Sequence, residues 1–280
     1  MPPPAFALSP PLVLTFAASD PTGGAGVQAD IMTLSSLGCH ALSVITALTV
    51  QDSAGVHAIQ AVDADWVDDQ ARALLEDMAV DAFKIGMLGS RENITVIAAI
   101  LADYPELPVV FDPVLASGRG DPLADEEMIL ALRELLLPQT TVLTPNSLEA
   151  RRLSGASDET PALDDCARRL LTFGCDYVLL TGTHENTTQV VNELHHRDGL
   201  VRCDRWERLA GSYHGSGCTL ASAVAAGLAH RLPVAAAVGE AQEYTWRALA
   251  AGFRPGMGQF ILDRFFWARH AGESEDGDGK

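Results

Sequence analysis

ASDPTGGAGVQAD, residues 18–30, follows an apolar run at 12–17 and leads into a helical stretch near 27–37. Gly23, Gly24 and Gly26 allow positive φ or a close approach of backbone to ligand. The helix that follows turns the loop's N–H groups toward whatever sits above the strand. The stretch is neither a P-loop nor a GxGxxG fingerprint. Taken alone, it reads equally well as a tight strand-to-helix turn.

Outward from this turn, short apolar runs alternate with longer helical stretches. Strands are expected at 42–48, 56–62, 82–85, 109–111, 141–143 and 177–180, with a hairpin at 189–194 and 199–202. Helices are expected near 65–78, 92–104, 126–136, 163–173, 218–230 and 234–250. This βαβα rhythm predicts an α/β fold with a mostly parallel central sheet and helices on both faces. No linker divides the chain, so residues 1–270 are expected to form a single domain. Ligands in such sheets sit beyond the carboxyl ends of the strands. The informative segments fall there, after Ala17, Leu48, Ile85, Phe111, Leu143 and Leu180.

The 280 residues are 48% hydrophobic and 20% charged, which is ordinary for a globular protein. No apolar run reaches the roughly 18 residues that span a membrane. The start, MPPPAFALSPP, has no basic residue and reads as a loose leader rather than a secretory signal. Residues 271–280 are polar and acidic and are expected to be disordered. Five cysteines with no CxxC pair point to a reducing cytoplasm and away from zinc. With 19 Lys and Arg against 37 Asp and Glu, the net charge of −18 argues against a nucleic-acid partner. The same charge repels any polyanionic substrate, so phosphate binding would need a local device.

GSYHGSGCTLAS, residues 211–222, supplies one. Gly215, Ser216 and Gly217 open a helix of small residues, and a helix N-terminus favours an anion. Cys218 falls in the first turn, where the helix field is expected to lower its pKa, although a small buried cysteine is the simpler reading. Asn146 and Glu149 form an N-x-x-E pattern that reads as a helix cap. On their own, Gln51 reads as a surface-loop amide, Asp30 as a solvated helix residue, Met87 as core filler and His184 as an ordinary loop histidine.

These two segments closely resemble the hydroxymethylpyrimidine/phosphomethylpyrimidine kinases of thiamin biosynthesis, within the ribokinase-like superfamily. The resemblance continues through SVITALTVQDSAGV (43–56), KIGML (84–88), FDPVL (111–115), GDPL (120–123) and LLPQTTVLTPNSLEA (136–150), and covers roughly residues 12–262. It implies a three-layer α/β/α fold and ATP-dependent phosphorylation of 4-amino-5-hydroxymethyl-2-methylpyrimidine and then of its monophosphate. By resemblance, Gln51 and Asp30 would bind the aminopyrimidine, with Ala25 and Met87 lining its pocket. Gly215, Ser216 and Gly217 would form an anion hole, and Cys218 would be the base for the attacking hydroxyl. Asn146, Thr181, Gly182 and His184 would lie at the ATP, and Asp112 and Glu149 would hold Mg²⁺. A monovalent cation and a homodimer also fit the resemblance. The departures fall among the phosphate-binding bases. Ser117, Gly118 and Arg119 stand where many relatives read A-K-S-G, Arg254 sits at a C-terminal glycine turn, and no lysine precedes Thr181. Two other readings remain open at this point, a pyridoxine or pyridoxal kinase of the same fold and a non-catalytic pyrimidine-binding regulator.

Overall fold

The structure is a computed structural model that describes residues 9–118, 120–155 and 161–269. The first eight residues of the expected leader, Arg119 and the acidic 271–280 tail lie outside the described residues. Among those described, no helix is long and apolar enough to cross a membrane.

Nine strands form one sheet. These are β1 (Leu12–Ser19), β2 (His40–Gln51), β3 (Val56–Ala61), β4 (Ala82–Ile85), β5 (Val109–Phe111), β6 (Val142–Leu143), β7 (Tyr177–Thr181), β8 (Gln189–His196) and β9 (Gly199–Glu207). They lie in the order β3-β2-β1-β4-β5-β6-β7-β8-β9, parallel from β2 to β7 and antiparallel at both edges. Consecutive residues on the inner strands point to opposite faces, and both faces are apolar, as a sheet covered on two sides requires. Leu14, Phe83, Val109, Leu143 and Val178 join one core, while their neighbours Val13, Ala82, Val110, Val142 and Leu179 join the other.

The first core is covered by α2 (Ala64–Asp77), α3 (Arg91–Ala102), α4 (Glu126–Ala131), α5 (Ser147–Ser154) and α6 (Leu163–Leu171). The second is covered by α1 (Gly26–Ser36), α7 (Ser216–Ala229) and α8 (Val234–Ala250). Alanines at 221, 223, 225, 226 and 229 let α7 lie close over the sheet. Where one helix was expected over 126–136, α4 passes into a π turn at Leu132–Leu136, and Pro138 then restricts the chain to a short 3₁₀ turn. β2 is longer than expected. Its last residues pair with β3 as an antiparallel flap in which Gln51 stands opposite Val56. A short parallel pair, β10 (Tyr213–His214) and β11 (Phe260–Ile261), and a final turn α9 (Phe266–Arg269) complete the described chain.

The two glycine loops meet above the sheet. Gly215 has φ 84°, and a Cβ there would stand 1.8 Å from the carbonyl oxygen of Gly24. Only a glycine fits both demands. Charged groups close the contact. Asp20 follows β1 and is buried, and it accepts from the backbone N–H groups of Thr22 (2.8 Å) and Ala25 (2.7 Å). His214 Nε2 lies 2.8 Å from Asp20 Oδ2. From the far end of the chain, buried Arg264 donates to the Gly24 carbonyl at 2.5 Å and to Thr219 Oγ1 at 3.1 Å. Burial works to raise the Asp20 pKa, but His214 and the two N–H donors outweigh it and hold the carboxyl below its ordinary value.

We expect Gly215→Ala to lose roughly 3 kcal/mol in denaturant unfolding, from strain and overlap together. Gly199→Ala, where an added Cβ meets nothing within 4 Å, should lose only the strain, roughly 1 kcal/mol. Asp20→Asn should cost roughly 1–2 kcal/mol at pH 7. Because Asp20 titrates below its ordinary 3.8, its contribution is present above that pH and is lost as pH falls through the lower folded value. The stability difference between wild type and Asp20→Asn should therefore close in acid unfolding below pH 3.8.

Candidate active site

A cleft of about 500 Å³ runs along the carboxyl edge of the sheet, from the β2–β3 flap to the β8–β9 hairpin. α7 enters it end-on at its middle. Helices α2, α3, α4 and α5 are capped by the side chains of Asp63, Ser90, Asp125 and Asn146. The two helices that follow the glycine loops have no such cap: α1 begins after Ala25 and α7 after Gly215. Neither has an acidic residue in its first turn. The open N–H groups of α7, contributed by Ser216, Gly217 and Cys218, line the cleft and give it a site for negative charge.

At the flap end, Gln51, Ala25 and Met87 line the cleft. Thr46 Oγ1 donates to the Met87 carbonyl at 2.5 Å, and Thr49 Oγ1 donates to the Ser19 carbonyl at 2.8 Å. These bonds tie the flap to the strands beside it. The flap's loop is also latched from the C-terminal side, where Gln259 N–H donates to the Ser53 carbonyl at 2.8 Å.

The expected substrate contact by Asp30 is not what the structure places. Asp30 is fully buried beneath the cleft, and its oxygens accept from Thr15 Oγ1 (2.7 Å), Ser222 Oγ (2.8 Å) and Lys84 Nζ (2.8 Å). One turn into α1, its side chain points inward to the sheet rather than forward to the cleft.

The centre of the cleft holds two buried carboxylates. Asp112 follows β5, and Glu149 lies in the first turn of α5. Glu149 closes a capping box, accepting from Asn146 N–H at 3.0 Å while Asn146 Oδ1 accepts from Glu149 N–H at 3.0 Å. It also accepts from Leu115 N–H at 3.3 Å. Burial first, then repulsion by Asp112, pushes Glu149 up to about 8. Burial pushes Asp112 up to about 6 against the pull of Lys84. A divalent cation would relieve both, so this donor set fits one. Among the described residues no three His, Cys, Asp or Glu side chains are placed to hold a metal on their own. A cation here would therefore take further ligands from water and phosphate.

Cys218 overturns the expectation of a lowered thiol pKa. Burial drives it up to about 12, and Asp112 and Asp30 add to the rise. Lys84 and the Gly26 N–H pull the other way without prevailing. The helix field at the start of α7 is real, but two carboxylates lie within its reach. The thiol stays protonated and donates to Asp112.

Toward the hairpin end, Asn146, Thr181 and His184 line the cleft, but Gly182 does not. A Cβ on Gly182 would stand 2.4 Å from the Val191 carbonyl oxygen, so this glycine serves the close packing of β8 on the loop after β7. Trp206 stacks on Trp246 with ring centres 6.2 Å apart and donates to Gln242 at 3.1 Å. Asn192 donates to the same Gln242 oxygen at 2.9 Å. Arg208 clamps the adjacent loop by donating to the carbonyls of Thr183 (2.8 Å), Glu185 (2.9 Å) and Thr187 (3.0 Å). Arg254 does not face the cleft; its guanidinium is taken by the Gly258 and Met257 carbonyls of its own turn. At the edge of the cleft, the Gly120 N–H donates to the Ser117 carbonyl at 2.8 Å.

Sequence reasoning missed Asp20, His214, Arg264, Lys84 and Arg208. Asp20 carries a local signal, since Asp-Pro-Thr is an Asx-turn pattern, and the Thr22 bond realises it. The others act across distant segments, and their neighbours in the chain give no sign of it.

Known proteins resemble this chain over most of its length. A family model described as phosphomethylpyrimidine kinase matches residues 20–263. A hydroxymethylpyrimidine/phosphomethylpyrimidine kinase of Streptomyces coelicolor is 41% identical over 255 residues, covering 90% of this chain and 93% of that protein. A thiamine biosynthesis bifunctional protein of Geobacter sulfurreducens is 42% identical over 239 residues, which is 85% of this chain and 49% of that longer protein. Among solved structures, an ADP complex of Bacillus subtilis pyridoxal kinase superposes with TM-score 0.85 at 30% identity, covering 93% of this chain and 100% of that one. Its fold is thus ribokinase-like, and the chain belongs to the phosphomethylpyrimidine kinase family.

Proposed function

We propose that this protein phosphorylates hydroxymethylpyrimidine and its monophosphate with ATP, as a step of thiamin biosynthesis. The observation that carries the reading is the order of groups along the sheet edge. An amide-bearing pocket at Gln51 comes first, then the uncapped α7 N-terminus with its two carboxylates, then the tryptophan-walled recess beside the hairpin. An acceptor, a transferring phosphoryl group and a nucleotide laid in that order meet the groups each one needs.

Gln51 can both donate to and accept from the edge of an aminopyrimidine, while Ala25 and Met87 supply apolar walls. The N–H groups from Gly215 to Cys218 receive the phosphoryl oxygens, which answers the repulsion that a net charge of −18 would otherwise impose. Glu149 and Asp112 would hold Mg²⁺, which neutralises phosphate charge during transfer. Cys218 takes the proton of an attacking hydroxyl by passing its own to Asp112, the acceptor of that S–H. The base is thus the pair and not the thiol alone, with the Asp112 carboxylate receiving the S–H proton. Asn146, Thr181 and His184 border the nucleotide. The greater identity to pyrimidine kinases than to the pyridoxal kinase favours the pyrimidine.

A coupled ADP-release assay with ATP and Mg²⁺ tests this against three acceptors. Turnover of the pyrimidine and of its monophosphate is expected, and turnover of pyridoxal alone would overturn the assignment. In the same assay Cys218→Ala should slow the alcohol step by roughly 100-fold, because a hydroxyl must lose its proton. The monophosphate step should change by less than about threefold, since a phosphate is already ionised. Equal losses in both steps would remove the proton-transfer role.

A further inference from the structure

Beneath the cleft floor lies a charge that the mechanism above leaves without a role. Lys84, on β4, is fully buried, and its Nζ is 2.8 Å from Asp30 Oδ2. With Thr15 and Ser222 also donating to Asp30, residues of β1, α1, β4 and α7 converge on one carboxylate. The ammonium reaches the floor of the cleft, and the missing side chain of Gly86 keeps it room, since a Cβ there would lie 2.8 Å from Nζ. Burial acts against its positive charge, and the Asp30 and Asp112 carboxylates overcome it.

A buried ion pair is an expensive way to pack a sheet against a helix. Apolar residues of similar volume often hold such a place equally well, because both charges must be stripped of water. What the pair supplies and an apolar pair cannot is a fixed cation at the point where Cys218, Asp112 and the α7 N-terminus meet. Charge held in place before reaction acts without reorganisation at the moment of transfer.

We propose that Lys84, anchored by Asp30, is a positioning residue for phosphoryl transfer that offsets the negative floor beneath the anion loop. The inference rests on the reading that the α7 loop receives the transferring phosphoryl group. Lys84→Met alone would leave Asp30 buried without a counter-ion and endanger the fold. The deciding variant is therefore the pair Asp30→Asn with Lys84→Met, which removes both charges and keeps volume. It should unfold cooperatively within a few degrees of wild type. Its KM values for pyrimidine and ATP should move by less than about threefold, while kcat falls by roughly 100-fold. A folded double variant with kcat within about threefold of wild type overturns the inference. If the double variant does not fold, Asp30→Glu decides, because it keeps both charges but displaces the ammonium. Lost kcat at constant KM supports the role, and unchanged kcat refutes it. Wild-type turnover in the same assay keeps the two levels apart. If wild type fails to turn over the pyrimidine, the functional reading falls and the inference with it. If wild type and double variant are equally active, only the inference falls.

Discussion

The active cleft depends on one contact, the meeting of backbone at Gly24 and Gly215. The two residues are far apart in the chain, and the closeness of their loops leaves no room for a side chain at Gly215. Around that contact, Asp20 binds the first loop internally and faces His214 of the second, while Arg264 reaches both from a third direction. The N-termini of α1 and α7 consequently open at the same place. Without this contact the sheet could still form, since its two cores are built from strand and helix side chains elsewhere.

An acidic protein that handles phosphates has to separate its charges. Here the separation is by depth. The acidic excess belongs largely to the surface, where water and salt screen it. In the interior, Asp20 and Asp30 are matched with His214 and Lys84, and Arg264 lies behind the anion loop. Asp112 and Glu149 are the exception: both are buried and both are raised, by burial and by mutual repulsion in the case of Glu149. Such unrelieved charge costs stability and marks a place that gains from binding a cation.

Cys218 shows how competing fields are settled by distance and burial. The dipole of α7 favours a thiolate, and Lys84 supports it. Burial and two neighbouring carboxylates oppose it more strongly, and the proton stays on sulfur. The cysteine then acts as a hydrogen-bond donor to Asp112, so the base we propose is the pair rather than the thiol alone.

The sequence by itself determined the layers and most of the elements. Runs such as 109–111, apolar on both sides, read as strands covered by helices on both faces. It also identified the glycine loops and, through motif resemblance, Gln51, Met87, Asp112, Glu149 and Cys218, all of which line the cleft. Those residues are legible because each sits at or just past the end of a strand or at a helix start, where local pattern fixes position. Tertiary structure alone decided the rest. It turned Asp30 from a substrate contact into the anchor of Lys84, Gly182 from a nucleotide contact into a packing site, and the thiol of Cys218 into a donor. The physical reason is common to all three. Burial and long-range pairing set the ionisation and orientation of a group, and both depend on segments as distant in sequence as Asp30 and Ser222, which no local pattern encodes.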